Sequence, residues 1–208
     1  MKNIMLITTL AAAITASAGD ITLPPANKTG GKPLMDALAA RQSQRAYADK
    51  ELSLQTLSDL LWAANGVNRP DGRRTAPTAR NNSEIDVYAL TKDGAFLYTP
   101  ATHSLSQVNT NDLRTTSGLP GFAQNAPVTL VLVVNRAKQG AGAGNKMSDR
   151  YAAVDSGYIS QNIYLYAASE GLSSVVLGTL NAAALFTSLK LDENSEALFA
   201  QPVGYPKE

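Results

Sequence analysis

The run VTLVLVVN, Val128 to Asn135, limits the fold more than any other stretch. It is a continuous apolar, β-branched run in which polarity does not alternate. A strand of this composition has no face to offer water, so it belongs inside a sheet covered on both sides. The chain must therefore supply flanking strands and two layers of cover.

Candidate strands lie on either side. In EIDVYALTKDGAFLYTP, Ile85, Val87 and Ala89 alternate with polar or aromatic neighbours, KDGA supplies a turn and FLY returns, which is a β-hairpin pattern. SSVVLG reads as a short buried strand and EALFAQPVGYP as a final extended segment. Helices supply the cover. Pro33 suits the first turn of a helix through LMDALAAR. Ser53 can cap a second helix, in which Leu54, Leu57, Leu60, Leu61 and Ala64 form one apolar stripe and Gly66 ends the run. SDRYAAVDSGYISQNIYLYAASEGL predicts a long helix whose apolar positions, among them Tyr151, Val154, Tyr158, Ile159, Ile163, Leu165 and Tyr166, occupy more than one face. Such a helix is buried centrally or at a subunit interface. NAAALFTSLK predicts another helix, and TTSGLPGFAQNAP an irregular tract with a short one. Strict βαβ alternation and internal repeats are both missing. The expectation is an α+β domain with a mixed or antiparallel central sheet flanked by helices.

At 208 residues the chain suits one domain. Its formal net charge of +1 gives no broad basic field, so nucleic-acid binding by counterion release is not expected. With no cysteine, disulfides and thiol catalysis are excluded. Residues 1–18 read as a signal peptide: Lys2, an apolar run from Ile4 to Ile14 and the small-x-small site Ala16-Ser17-Ala18. Cleavage is expected before Gly19, which removes Lys2 and brings the mature charge to zero. A membrane span needs about 18 or more apolar residues, and this run is shorter, so no span is expected after cleavage. The organisation is then 1–18 signal peptide, 19–33 a mobile or surface-draped extended segment and 34–208 one domain, in a periplasmic or secreted protein.

Most catalytic patterns fail. His103 is the only histidine and reads as a loop residue; no G-x-S-x-G elbow exists, and zinc needs more Cys or His than the chain has. QGAGAGNKMSD, with Gly140, Gly142 and Gly144, follows a strand and precedes a helix, but its spacing matches neither dinucleotide nor P-loop motifs and reads as a surface loop. RQSQRAY stands out. If it is extended, Arg41, Ser43 and Arg45 point to one side, as suits a phosphate. RRTAPTARNN, Arg73 to Asn82, adds a second polar loop. On these residues alone an anion site and a solvated surface both stand.

Several segments, in order, resemble the nitroreductase-like FMN enzymes: RQSQRAY, LSDLLWAANGVN, RRTAPTARNN, IDVYAL…GAFLYTPATHSL, RYAAVDSGYISQNIYLYAASEGLSSVVLG and PVGYP. The hairpin and the D-x-G-x-x-x-Q-N helix are most similar to the branch containing azoline dehydrogenases. The Lys-Tyr pair which that branch carries ahead of the long helix is missing, since Met147 follows Lys146. The resemblance implies an α+β fold in an intertwined homodimer with FMN between subunits. Arg41, Gln42, Ser43 and Arg45 would meet the FMN phosphate and the polar edge of the flavin. Pro77, Thr78 and Ala79 match a turn beside the cofactor, with Asn81 near it, although Arg80 stands where many relatives have Asn. Leu177 and Gly178 match the strand end near the reactive ring edge, and Lys207 is the one candidate for a C-terminal phosphate contact. No catalytic side chain is implied, because hydride passes through flavin N5, from NAD(P)H or another donor, to flat electron-poor acceptors such as nitroaromatics or quinones. The alternative is a flavin-binding carrier or degenerate homologue without turnover.

Overall fold

Val128–Asn135 does become an interior strand. In the computed structural model, which describes residues 19–115, 120–140 and 145–207, the strands are β1 (Ile21–Thr22), β2 (Ile85–Thr91), β3 (Gly94–Thr99), β4 (Ser104–Asn109), β5 (Val128–Asn135), β6 (Ser173–Ser174) and β7 (Ser195–Gly204). They form one sheet in the order β1-β4-β3-β2-β5-β7-β6. Every ladder is antiparallel. The helices are α1 (Leu34–Ala40), α2 (Leu54–Asn65), α3 (Gly121–Gln124), α4 (Lys146–Glu170) and α5 (Ala182–Ser188). Residues 1–18, expected to be a signal peptide, and Gly142 and Gly144 lie outside the described residues.

The two faces of β5 explain its composition. Leu130, Leu132 and Val134 point into a core shared with Leu60 and Leu61 of α2 and Ile159 and Ile163 of α4. Val131 and Val133 point the other way, against Leu185 and Leu189 of and just beyond α5. Each side removes a row of branched side chains from water, and the strand needs no polar face.

α2 forms where the sequence signals start and stop. Ser53 Oγ accepts the Thr56 N–H at 3.0 Å, and the stripe drives Leu60, Leu61 and Ala64 to full burial, while Leu54 at its edge stays 46% exposed. Gly66 ends the helix in extended backbone, with its N–H on Trp62 O. A Cβ there would sit 2.4 Å from Trp62 Cδ1, so the position needs glycine for room. α4 ends at Gly171, whose φ of 69° supplies the left-handed cap.

One feature differs from the sequence reading, and for residues 19–33 the draped of its two alternatives is the one seen. β4 was not expected: among its six residues only Leu105 is fully buried, so the apolar alternation is faint, yet it pairs with β3 along its length. The lead-in of residues 19–33 is draped and fastened. Ile21 and Thr22 extend the sheet, Leu23 is buried, and Asn27 bonds the Asp59 carboxylate through its backbone N–H and its side-chain amide. Lys32 reaches Ser169 Oγ and Ala168 O at the end of α4. Lys28 Nζ lies 5.6 Å from the centroid of Trp62, whose indole N–H donates to Val67 O.

Candidate functional site

RQSQRAY begins where α1 stops, with Arg41 as the C-cap residue at φ −58°, ψ 123°. From there the chain runs along the outer edge of the sheet. The Gln44 N–H donates to Ser174 O at 2.9 Å, Ser173 Oγ donates to Gln44 Oε1 at 3.2 Å, and Tyr47 bridges to Pro206. An edge strand of two residues is thereby covered.

Tyr164 of α4 organises the segment. Its hydroxyl lies 3.0 Å from Ser43 Oγ and accepts the Val176 N–H at 2.9 Å, and the Arg41 guanidinium carbon sits 5.3 Å from its ring centroid. One side chain thus ties the Arg41–Arg45 segment to the stretch after β6 that carries Leu177 and Gly178; the strand expected over SSVVLG is only Ser173–Ser174, followed by a single bridge at Leu177. Leu177 exchanges both backbone hydrogen bonds with Ala200. A Cβ at Gly178 would meet nothing closer than Phe199 Cε1 at 3.9 Å, so the chain's own packing leaves this position open. Neither Tyr164 nor Gln44 was singled out from the sequence; within α4 the tyrosine looks like one more apolar position.

The charge balance here is uneven. Arg45, Gln42 and Ser43 are exposed and Arg41 half-buried. Among the described residues neither Arg41 nor Arg45 has a carboxylate partner. Burial, then the neighbouring Tyr164, raises the pKa of the Tyr47 phenol, while nearby Arg45 lowers it. Lys207 is held beside the segment, its N–H facing Ala46 O at 3.4 Å. Its side of the chain lines a cleft of about 1220 Å³ with Tyr47, Lys50 and Tyr205, separate from the smaller cavity lined by Gln42, Gln44 and Tyr164.

Pro77, Thr78, Ala79 and Asn81 lie elsewhere. The Ala79 N–H donates to Asp155 Oδ2 at 2.8 Å, and Thr78 Oγ1 accepts the Ser83 N–H at 3.0 Å. Arg80 and Asn81 are exposed, both with φ of 57°. Asp155 and Tyr164 are nine positions apart on α4, or roughly 13 Å along its axis at 1.5 Å per residue. Within one chain, then, Tyr164 links Ser43 to the stretch before Leu177 and Gly178, Lys207 lies at the far end of the Arg41–Arg45 segment on a separate cleft, and the Pro77–Asn81 turn stands apart from them.

Comparison with known proteins first gives the class, an oxidoreductase, and then the family. The model of the nitroreductase family matches residues 38–205. A protein of Methanocaldococcus jannaschii described as a nitroreductase is 30% identical over 181 residues, covering 82% of this chain and 90% of that one. The chain belongs to the nitroreductase family. A crystal structure from Ralstonia eutropha JMP134, also described as a nitroreductase, has 38% identity and a TM-score of 0.86, covering 93% of both chains. The NADPH:FMN oxidoreductase of Vibrio harveyi, complexed with NAD+, shares the fold at TM-score 0.64 and 22% identity, covering 84% of this chain and 69% of its own.

Proposed function

We propose that the protein is an exported, homodimeric FMN-dependent oxidoreductase, acting between NAD(P)H or another donor and a small, flat, electron-poor acceptor of nitroaromatic or quinone type. The observation that carries this is that Arg41 and Arg45, two residues either side of Ser43 in the chain, have no carboxylate partners among the described residues. That donor set fits a phosphate dianion, which Arg matches bidentately. Membership of the nitroreductase family and the named activity of the Vibrio relative support the same cofactor.

When bound, FMN would supply the hydride chemistry, so the protein's task is to bind and orient. Arg41 and Arg45 would neutralise the phosphate, Ser43 would donate or accept beside them, and Tyr164 ties Ser43 to the stretch before Leu177 and Gly178. Gln42 and Lys207 flank this cluster. The Pro77–Asn81 turn is assigned to the site of the second subunit, since it is anchored some helical turns away on α4, beside the exposed Val154 and Tyr158. The leader of residues 1–18 directs the chain to the periplasm or outside the cell, where FMN is taken up after export.

The test is a titration of the mature protein with FMN, followed by visible absorption. Saturable binding is expected, with Arg41→Ala and Arg45→Ala each weakening it by about 1.5–3 kcal/mol, the scale of a charge-assisted hydrogen bond. Unchanged affinity in both variants would remove the phosphate assignment. Rapid reduction of the bound flavin by NAD(P)H or another donor marks an enzyme; a flavin that binds but resists every donor marks a carrier.

A further inference from the structure

The D-x-G-x-x-x-Q-N stretch of α4 contributes a buried carboxylate that the proposed cofactor site does not use directly. Asp155 is 2% exposed and Glu84, at the mouth of β2, is 0% exposed. They lie within hydrogen-bonding reach of one another. Among the described residues neither has an ion-pair partner. Glu84 Oε1 accepts from Gln139 Nε2 at 3.1 Å, while Oε2 is buried with no donor facing it. Two ionised carboxylates cannot share such a site without a cation, and an acceptor cannot be left buried without a donor. One proton between them, carried by Glu84, would resolve both problems.

Asp155 Oδ2 is also the acceptor for the Ala79 N–H. Beyond that bond the backbone passes through three left-handed non-glycine residues, Arg80, Asn81 and Ser83, at φ of 57°, 57° and 51°. Such a segment keeps its shape only when its surroundings hold it there. We propose that Glu84 and Asp155 share one proton and act as a positioning pair for the Pro77–Ala79 turn, so that losing the proton releases the turn from α4. The consequence for the cofactor rests on the reading that this turn borders FMN.

The surroundings favour the shared proton. Burial raises the Glu84 pKa above the usual carboxylate range and the adjacent Asp155 adds to this, against the lowering effect of a backbone N–H and of Gln139. Gln139, which reaches Glu84 from the turn after β5, is neutral. Lys138 beside it is taken by Asp86 at 2.5 Å, and Arg136 by Asp149 and Glu196. Arg80 is exposed.

The experiment follows the Ala79 amide by NMR from about pH 5 to 9, a window above the ordinary glutamate value, in the wild type, Glu84→Gln and Asp155→Asn. FMN affinity is measured at each pH. In the wild type the Ala79 signal should move along one titration curve, with the amide's protection factor, its exchange relative to an unstructured amide at the same pH, about tenfold lower on the alkaline side, as for a lost hydrogen bond. Glu84→Gln keeps a neutral donor and should abolish the curve while preserving protection. Asp155→Asn, whose amide can still accept from Ala79 and can donate to Glu84, should also abolish the curve with protection kept, while a third variant, Asp155→Ala, has no acceptor and should resemble the alkaline wild type throughout. A wild-type amide that does not titrate overturns the proposal even if no variant folds, and so does a Glu84→Gln curve equal to the wild type's. If the amide behaves as expected and FMN affinity stays flat, the positioning pair stands and the placement of the turn beside FMN falls.

Discussion

His103 shows how a residue can be a loop residue and still fix the structure. It sits at φ 51°, and its ring joins three parts of the chain: Nε2 lies 2.7 Å from Ser58 Oγ and Nδ1 2.9 Å from Tyr98 OH, while Ser58 Oγ donates to Pro24 O. Because Ser58 spends its proton on Pro24, it must accept from His103, which fixes the Nε2–H tautomer and leaves Nδ1 to accept from Tyr98. Burial, the largest influence, lowers the His103 pKa, so the folded state prefers the neutral ring. The associated stability is complete above the unfolded histidine value near about 6.5 and is lost as pH falls toward the lower folded value. His103→Gln should lose about 1–2 kcal/mol at pH 8, the worth of one or two hydrogen bonds. Urea unfolding should show that the gap to wild type narrows as the pH is lowered to 5. None of this network is legible in the sequence, where Ser58 and His103 are separated by 45 positions. The same holds for Tyr164. By contrast the Arg-x-Ser-x-Arg pattern of Arg41, Ser43 and Arg45 was visible at once, because it lies within five consecutive residues.

At the scale of elements, legibility followed the strength of local signals. α2 carries its cap, stripe and stop within fifteen residues, and β5 declares its double burial by composition, so both were read directly. β4 was not, and the strap of residues 19–33 was read only as either mobile or draped, because their places depend on partners far along the chain: Thr22 pairs with Ser104 and Lys32 with Ser169. The strap holds by one buried side chain and several polar fastenings. Leu23→Ala should therefore cost about 2–4 kcal/mol, the usual loss for a leucine truncated in a core. Chemical denaturation gives the cost, and early proteolysis between residues 19 and 33 should accompany it. Equal protease resistance in variant and wild type would mean that the polar contacts alone hold the strap.

The molecule as a whole presents apolar side chains that one chain does not cover. Leu34, Met35 and Leu38 of α1 are 63%, 73% and 43% exposed, and Val154 and Tyr158 of α4 are 44% and 45% exposed. Covering them in a symmetric pair would also bring the Pro77–Asn81 turn of one subunit toward the other, as proposed for the cofactor site. Val154→Lys with Tyr158→Lys should then convert a dimer to a monomer in analytical ultracentrifugation. The same change should weaken FMN binding by at least about tenfold, since a charge introduced into a desolvated interface is strongly unfavourable. A variant that stays dimeric with full affinity would place the interface elsewhere. The α+β class was readable from the order of the segments. A site between subunits, as proposed above, was expected only from the family resemblance, because spacing along a sequence says nothing about which copy supplies each part.

Trp62 is the only tryptophan in the chain. It lies under the strap, with Lys28 above its ring and its N–H held by Val67. Its ultraviolet emission is therefore an intrinsic optical probe of whether that strap is docked, and the unlabelled protein can report it in real time.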